Sequence, residues 1–180
     1  KAFDLANTIA EIFIPIDAIS ERCSGVKYDI VNKATQEVII PTGNLKDKLE
    51  KPNPIDTLED IVYQMMFSKL ASGNSYVYTK TAESIVNPTI DNISNIWVLK
   101  PNVTKAVLKK EISNPFLMKS ISDLIDYYST FFYQQHKIAP RYVFHRTATG
   151  ITESGMGKSL LWACEKNINN ILAVYQARYN

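Results

Sequence analysis

The chain is short of the residues from which reactive sites are most often built. Its 180 residues include two cysteines, Cys23 and Cys164, and two histidines, His136 and His145. The cysteines lie far apart in helical patterns, so buried thiols are expected rather than a disulfide or a reactive pair. Long apolar runs are missing too. The best candidate, Ile9–Ile19, is interrupted by Glu11, Pro15 and Asp17, well short of the roughly 20 apolar residues of a membrane-spanning helix. Nor is there an excess of charge of one sign. Lys and Arg total 20 against 18 Asp and Glu, a net +2, which argues against a surface built to coat nucleic acid.

What is present is ordinary. With 46% hydrophobic and 21% charged residues the composition is that of a globular protein, and the length suits one domain with a sizeable core. The chain starts at Lys1 rather than Met and ends at Asn180 inside a helical pattern with no Gly or Pro stop. Both features lead us to expect a single domain over 1–180 that is a piece of a longer protein, and no cellular address follows from a missing leader.

The most legible stretch runs from Leu49 to Lys80. Pro52 and Pro54 each fix φ near −65° and disfavour helix in the preceding residue, which makes Lys51–Ile55 an ordered corner around Asn53. Asp56 reads as an N-cap with Glu59 completing a capping-box-like pair, and Thr57 with Asp60 is the alternative register. Leu58, Ile61, Val62, Met65, Met66 and Leu70 follow at helical spacing and are expected to share a buried face. Gly73 falls where the helix end needs a positive φ, and Asn74 is the next most tolerant residue. Ser75–Thr81 then alternates as a strand, with Tyr76 and Tyr78 on one side and Val77 and Thr79 on the other.

Upstream, Phe3 to about Ser24 reads as a long helix with Leu5, Ile9, Ile12, Phe13, Ile16 and Ile19 as its apolar stripe and a kink or split near Pro15. Gly25 ends it. Val26–Val31 and Glu37–Ile40 alternate as the arms of a hairpin around Lys33–Gln36, and Asn44–Lys51 supplies a short helix. Downstream, Ile96–Lys100 and Val103–Leu108 are strands on either side of Pro101-Asn102. Ser120 or Ser122 could cap a helix through Asp123, Leu124 and Tyr127. Ser129–Gln135 and Arg141–His145 read as strands around a His-Lys-Ile-Ala-Pro turn. The last pattern is a helix with Leu161, Cys164, Ile168, Ile171, Leu172, Tyr175 and Tyr179 on one face. The fold class expected is α+β: helices packed on small antiparallel or mixed sheets, followed by a long C-terminal helix.

Two candidate sites invite a chemical reading. His145 could act with Cys164 or Glu165, but nothing in the sequence brings them together, and a structural, hydrogen-bonding histidine is the better expectation. Thr152–Ser159, Thr-Glu-Ser-Gly-Met-Gly-Lys-Ser, is one residue from a phosphate-binding G-x-x-x-x-G-K-S loop. Gly157, Lys158 and Ser159 are in place and a helix follows. Thr152 replaces the first glycine, Arg146–Ile151 separates the preceding strand from the loop, and no later strand offers an Asp for Mg²⁺. No catalytic, cofactor or metal site is expected. A P-loop NTPase and an unrelated protein-interaction domain remain the alternative readings.

The Pro-Asn-Pro corner, amphipathic helix, Gly-Asn stop and aromatic strand together resemble the HK97-like portal proteins of tailed bacteriophages. Those chains carry a Lys/Arg-Pro-Asn-Pro segment, a helix and a "GNAY"-like entry into a strand. Ile96–Val107 is similar to the family's strand that ends at a proline, here Pro101. Lys137–Arg146, "KIAPRYVFHR", resembles a recurring segment ending in Val-x-His, and Gly157, Ser159, Leu160 and Ala163 fill a pattern in which glycine and serine open a long helix. Leu160 stands where the family usually has proline. The resemblance spans about 2–40, 49–80, 96–107 and 138–180 in order, and 109–128 has no counterpart. On it, Pro52, Asn53, Pro54, Gly73, Asn74, Pro101, His145, Gly157 and Ser159 are structural motif positions.

The resemblance implies a non-enzymatic virion protein of a phage or prophage, the wing-like region of a portal subunit. The full subunit would form a dodecameric ring at one capsid vertex, assembled in the bacterial cytoplasm. Double-stranded DNA would be packaged and ejected through the ring. Implied partners are further copies of itself, the terminase large subunit, a head-tail adaptor and the major capsid protein, with no membrane. Stem and clip would lie beyond Asn180.

Overall fold

The computed structural model describes residues 2–81, 89–109, 124–131, 135–148 and 157–179. Helices α1 (Ala2–Thr8), α2 (Ala10–Ser24), α3 (Gly43–Glu50) and α4 (Leu58–Ser72) come first. Strands β1 (Asn74–Lys80), β2 (Asn95–Leu99), β3 (Thr104–Leu108), β4 (Ile125–Phe131), β5 (Gln135–Ile138) and β6 (Val143–Thr147) follow, and α5 (Leu160–Ala163) and α6 (Glu165–Tyr179) end the chain. The strands form two three-stranded antiparallel sheets, ordered β2-β1-β6 and β3-β4-β5. This is the α+β architecture expected.

Two apolar clusters hold these layers together. One gathers Ala6 of α1, Ile9 between α1 and α2, Ile12 and Ile16 of α2, Phe67 and Ala71 of α4, and Ile168 of α6. Phe67 is its hub, with the rings of Phe3, Phe13 and Tyr63 at 5.9, 5.8 and 6.0 Å. The other lies between the sheets, where Tyr76, Leu99 and Val143 of one meet Ile125 and Tyr128 of the other. Strand β1 continues directly from α4, so the α4–β1 junction joins the two clusters.

Several expectations are corrected. The first helix breaks at Ile9 (φ −111°, ψ 114°) and not near Pro15, which lies inside α2. Asn7 and Thr8 side chains donate back to the carbonyls of Phe3 and Asp4, competing with the helix ladder where it ends. Ile19 is exposed rather than part of the stripe. The hairpin arms are not regular strands; they meet at one bridge, Val31 with Val38, and Asn32 Oδ1 accepts from the amides of Ala34 and Thr35 in the turn. Helix α4 is capped in the alternative register, with Thr57 Oγ1 accepting from Asp60 N and Asp60 Oδ2 from Thr57 N, because Asp56 is already engaged by Asn53 and Gln64. Its buried residues are Ile61, Phe67, Ser68 and Ala71, whereas Met65 and Met66 are half-buried.

Further along, Tyr127 belongs to β4 and not to a helix, and Ser129–Gln135 is divided between β4 and β5. A one-turn helix at Pro140–Tyr142 precedes β6. The long terminal helix is interrupted at Cys164, which is exposed at that turn, and Cys23 is only half-buried. The buried-thiol expectation fails because both cysteines sit at helix ends. Leu161, Ile168 and Leu172 do pack on the first cluster. The side chains of Ile171, Tyr175 and Tyr179, and the cap expected at Ser120 or Ser122, lie outside the described residues.

Candidate functional site

Five of the nine motif positions come together at the α4–β1 junction. Gly73 ends α4 at φ +82°, with its N–H on the carbonyl of Lys69 at 2.9 Å, a left-handed turn that side chains with a Cβ resist. Its own carbonyl accepts from Ala148 N at 2.8 Å, just past β6. Gly157 is pressed against the same turn. A Cβ on Gly73 would fall 2.4 Å from the Gly157 carbonyl oxygen, and one on Gly157 would fall 2.0 Å from that of Gly73.

Asn74 locks this contact. Its Oδ1 accepts from Gly157 N at 2.8 Å, and its Nδ2 donates to the carbonyl oxygens of Gly157 at 3.3 Å and Ser72 at 3.2 Å. With the amide so oriented, Asn74 Oδ1 also accepts from His145 Nε2 at 3.0 Å, which fixes the histidine as its Nε2–H tautomer. The pairing of β1 with β6 sets Tyr76 beside His145, their rings tilted by 34° with centroids 4.4 Å apart, and the Tyr128 ring meets His145 edge-on at 5.7 Å. Ser159 closes the junction. Its hydroxyl donates to the carbonyl of Ala71 at 2.7 Å and accepts from Leu161 N at 3.0 Å, so it caps α5 and ties it to α4.

Burial sets the electrostatics. It pushes His145 down to about 4, and it raises the Tyr76 and Tyr128 hydroxyls above their usual range. His145 is therefore a neutral ring held by Asn74, and Cys164 faces solvent at the α5–α6 turn. Part of the near-P-loop, 149–156, lies outside the described residues. Within the rest, the Gly157 amide is spent on Asn74 and the Ser159 hydroxyl on Ala71 and Leu161, the groups that a phosphate and its Mg²⁺ would need. The helix that follows is only four residues long.

Asn53 organises a second site at the Pro-Asn-Pro corner. Its Oδ1 accepts from the amides of Ile55 and Asp56, both at 2.8 Å, and its Nδ2 donates to Asp56 Oδ2 and to the carbonyl of Ile96. Pro52 is buried beside it, and its carbonyl accepts from Ile96 N at 2.8 Å, so the corner seals the outer edge of β2. Pro54 is exposed. Pro101 stands apart, in the turn from β2 to β3 where Val103 N reaches the Lys100 carbonyl at 3.2 Å.

The sequence did not point to Ser72, whose hydroxyl donates to the carbonyl of Ser68 at 2.7 Å and accepts from Asn74 N at 3.1 Å, or to Tyr128. Ser-Gly-Asn at a helix end was a usable signal for Ser72. Tyr128 had none, because its burial depends on the packing of one sheet on the other. Among the described residues no three His, Cys, Asp or Glu side chains group as metal ligands, and no helix is long and apolar enough to cross a membrane.

No protein-family model matches the chain, and no curated protein matches its sequence. Solved structures do resemble it. A chain in the neck of a native gene transfer agent (GTA) particle, computed with C12 symmetry, aligns over 98% of this chain at TM-score 0.66 and 16% identity. A chain in the neck of an empty GTA particle, computed with C6 symmetry, aligns over 98% at TM-score 0.71 and 15% identity. One in the virion of the native particle covers 92% at 0.65 and 16%. At this identity the likeness is one of fold. The chain spans 44%, 45% and 40% of those three chains.

Proposed function

We propose that the protein is a structural component of a phage-like virion, and within it the wing-like part of a portal subunit of the HK97-like type. The observation that carries this reading is the likeness of nearly the whole chain to chains in GTA particles, two of them in necks treated with C12 and C6 symmetry. The nine motif positions support it from an independent direction. Eight of them lie at two seams that hold the fold together, the Pro-Asn-Pro corner and the junction around Asn74, and Pro101 lies in the β2–β3 turn.

On this reading the part works mechanically. A rigid helix-to-strand joint transmits position between the helical layer and the sheets. A near-neutral surface suits a conduit, since each phosphate gripped would slow the passage of double-stranded DNA. The full-length subunit would close into a dodecameric ring and meet the terminase large subunit, a head-tail adaptor and the major capsid protein, with stem and clip supplied by the remainder of the chain.

The test is assembly. A chain extended to the length of its structural neighbours should form rings visible by mass photometry and by electron microscopy, while residues 1–180 alone should be monomeric or weakly associated, having lost most of the closing interface. A full-length protein that stays monomeric across micromolar concentrations would sink the portal reading.

A further inference from the structure

We infer that the hairpin arm Val26–Ile40 is a docking surface for a neighbouring copy of this chain. The inference rests on the ring reading above and assigns it a contact. Along the arm every residue except Ile30 is exposed, and the apolar ones are among the most exposed in the molecule: Ile40 at 82%, Val38 at 61%, Val26 at 57% and Tyr28 at 50%. One bridge, made by two backbone bonds, Asn32 N to Glu37 O and Ile39 N to Ile30 O, is what pairs its strands. A two-stranded ribbon of this kind is marginal in water without cover. A groove of about 840 Å³ separates the arm from Leu49 of α3 and Leu58 of α4. Contiguous apolar surface of this kind marks an interaction site.

Charge narrows the cover to a protein surface. Lys27 and Lys33 are balanced by Asp29 and Glu37, so the arm is neutral. Nucleic acid and anionic lipid surfaces are held by basic clusters, which this arm does not have. A protein surface fits. A cyclic ring is built from heterologous contacts in which one patch meets a different patch on the next subunit, so an exposed apolar arm meets that need without requiring self-complementarity.

Hydrogen–deuterium exchange on the full-length protein tests this. Amides of 26–31 and 38–40 should exchange fast in the 180-residue chain and in ring protomers separated by dilution, and become protected in the ring. Ile40→Lys should raise the protomer concentration for half-assembly about tenfold or more, the loss of a modest interface anchor. Arm amides equally fast in ring and protomer overturn the inference, whatever Ile40→Lys does. So does protection that persists in separated protomers, since the cover would then be the chain's own remaining segment. If the wild-type full-length protein forms no ring, the functional reading fails first, and the two failures are thereby distinguishable.

Discussion

Replacing Gly73 by alanine isolates the contact on which the α4–β1 junction depends. Two costs add. The backbone at φ +82° disfavours any residue with a Cβ, at about 1 kcal/mol. The new methyl would also meet the Gly157 carbonyl oxygen at 2.4 Å, Lys158 C at 2.5 Å and Ser159 N at 2.6 Å, all backbone atoms. Backbone cannot swing aside as a side chain can, so an overpacking penalty of about 1–3 kcal/mol follows. The expected loss is about 2–4 kcal/mol, read as a lower midpoint at unchanged slope in urea unfolding. Gly43 is the internal control. It too has a positive φ, +58°, but an added Cβ meets nothing within 4 Å, so Gly43→Ala should cost only the backbone share of about 1 kcal/mol. Gly157→Ala should resemble Gly73→Ala, because its Cβ would fall 2.0 Å from the Gly73 carbonyl oxygen. Equal midpoints for Gly73→Ala and Gly43→Ala would refute the claim that the two glycine backbones are in contact.

Asn74→Ala strands the buried Gly157 amide and should destabilise by about 2 kcal/mol in the same melts; a neutral result would mean that the junction does not rely on Asn74. His145 gives a pH signature. Its folded value, about 4, lies below the ordinary 6.5, so between those values the unfolded chain binds the extra proton and stability falls as pH drops. Melting temperature should therefore decline from pH 7 to pH 4, and His145→Gln should flatten that slope; an unchanged slope places the titrating group elsewhere. Thr57→Ala should cost about 1 kcal/mol through loss of the cap, whereas Glu59→Ala should stay within about 0.5 kcal/mol, and the reverse order would restore the other capping register. Calorimetric titration with Mg²⁺–ATP or Mg²⁺–GTP should give no saturable heat, and micromolar binding abolished by Lys158→Ala would reinstate the nucleotide-binding alternative.

By itself the sequence determined the parts whose causes are local. Pro52 and Pro54 restrict their own φ and the residue before them, so the corner was legible without any partner. Gly73 before an alternating run placed the end of α4 and the start of β1, because a left-handed turn and a period of two need only neighbouring residues. Tertiary structure decided whatever turned on competition or on distant pairing. Thr57 beat Asp56 as the cap because Asn53 and Gln64 already held the Asp56 carboxylate, and Asn53 was itself fixed by Ile96 in β2. The buried side of α4 could not be read from periodicity because the helix is enclosed on more than one side, by α2 on one and by the Asn74 junction at its end. Gly157, eighty-three positions from Asn74, became its hydrogen-bonding partner only once β1 had paired with β6. No local pattern encodes a bond of that separation, since the energy that selects it comes from burying Tyr76 and closing the sheet around it.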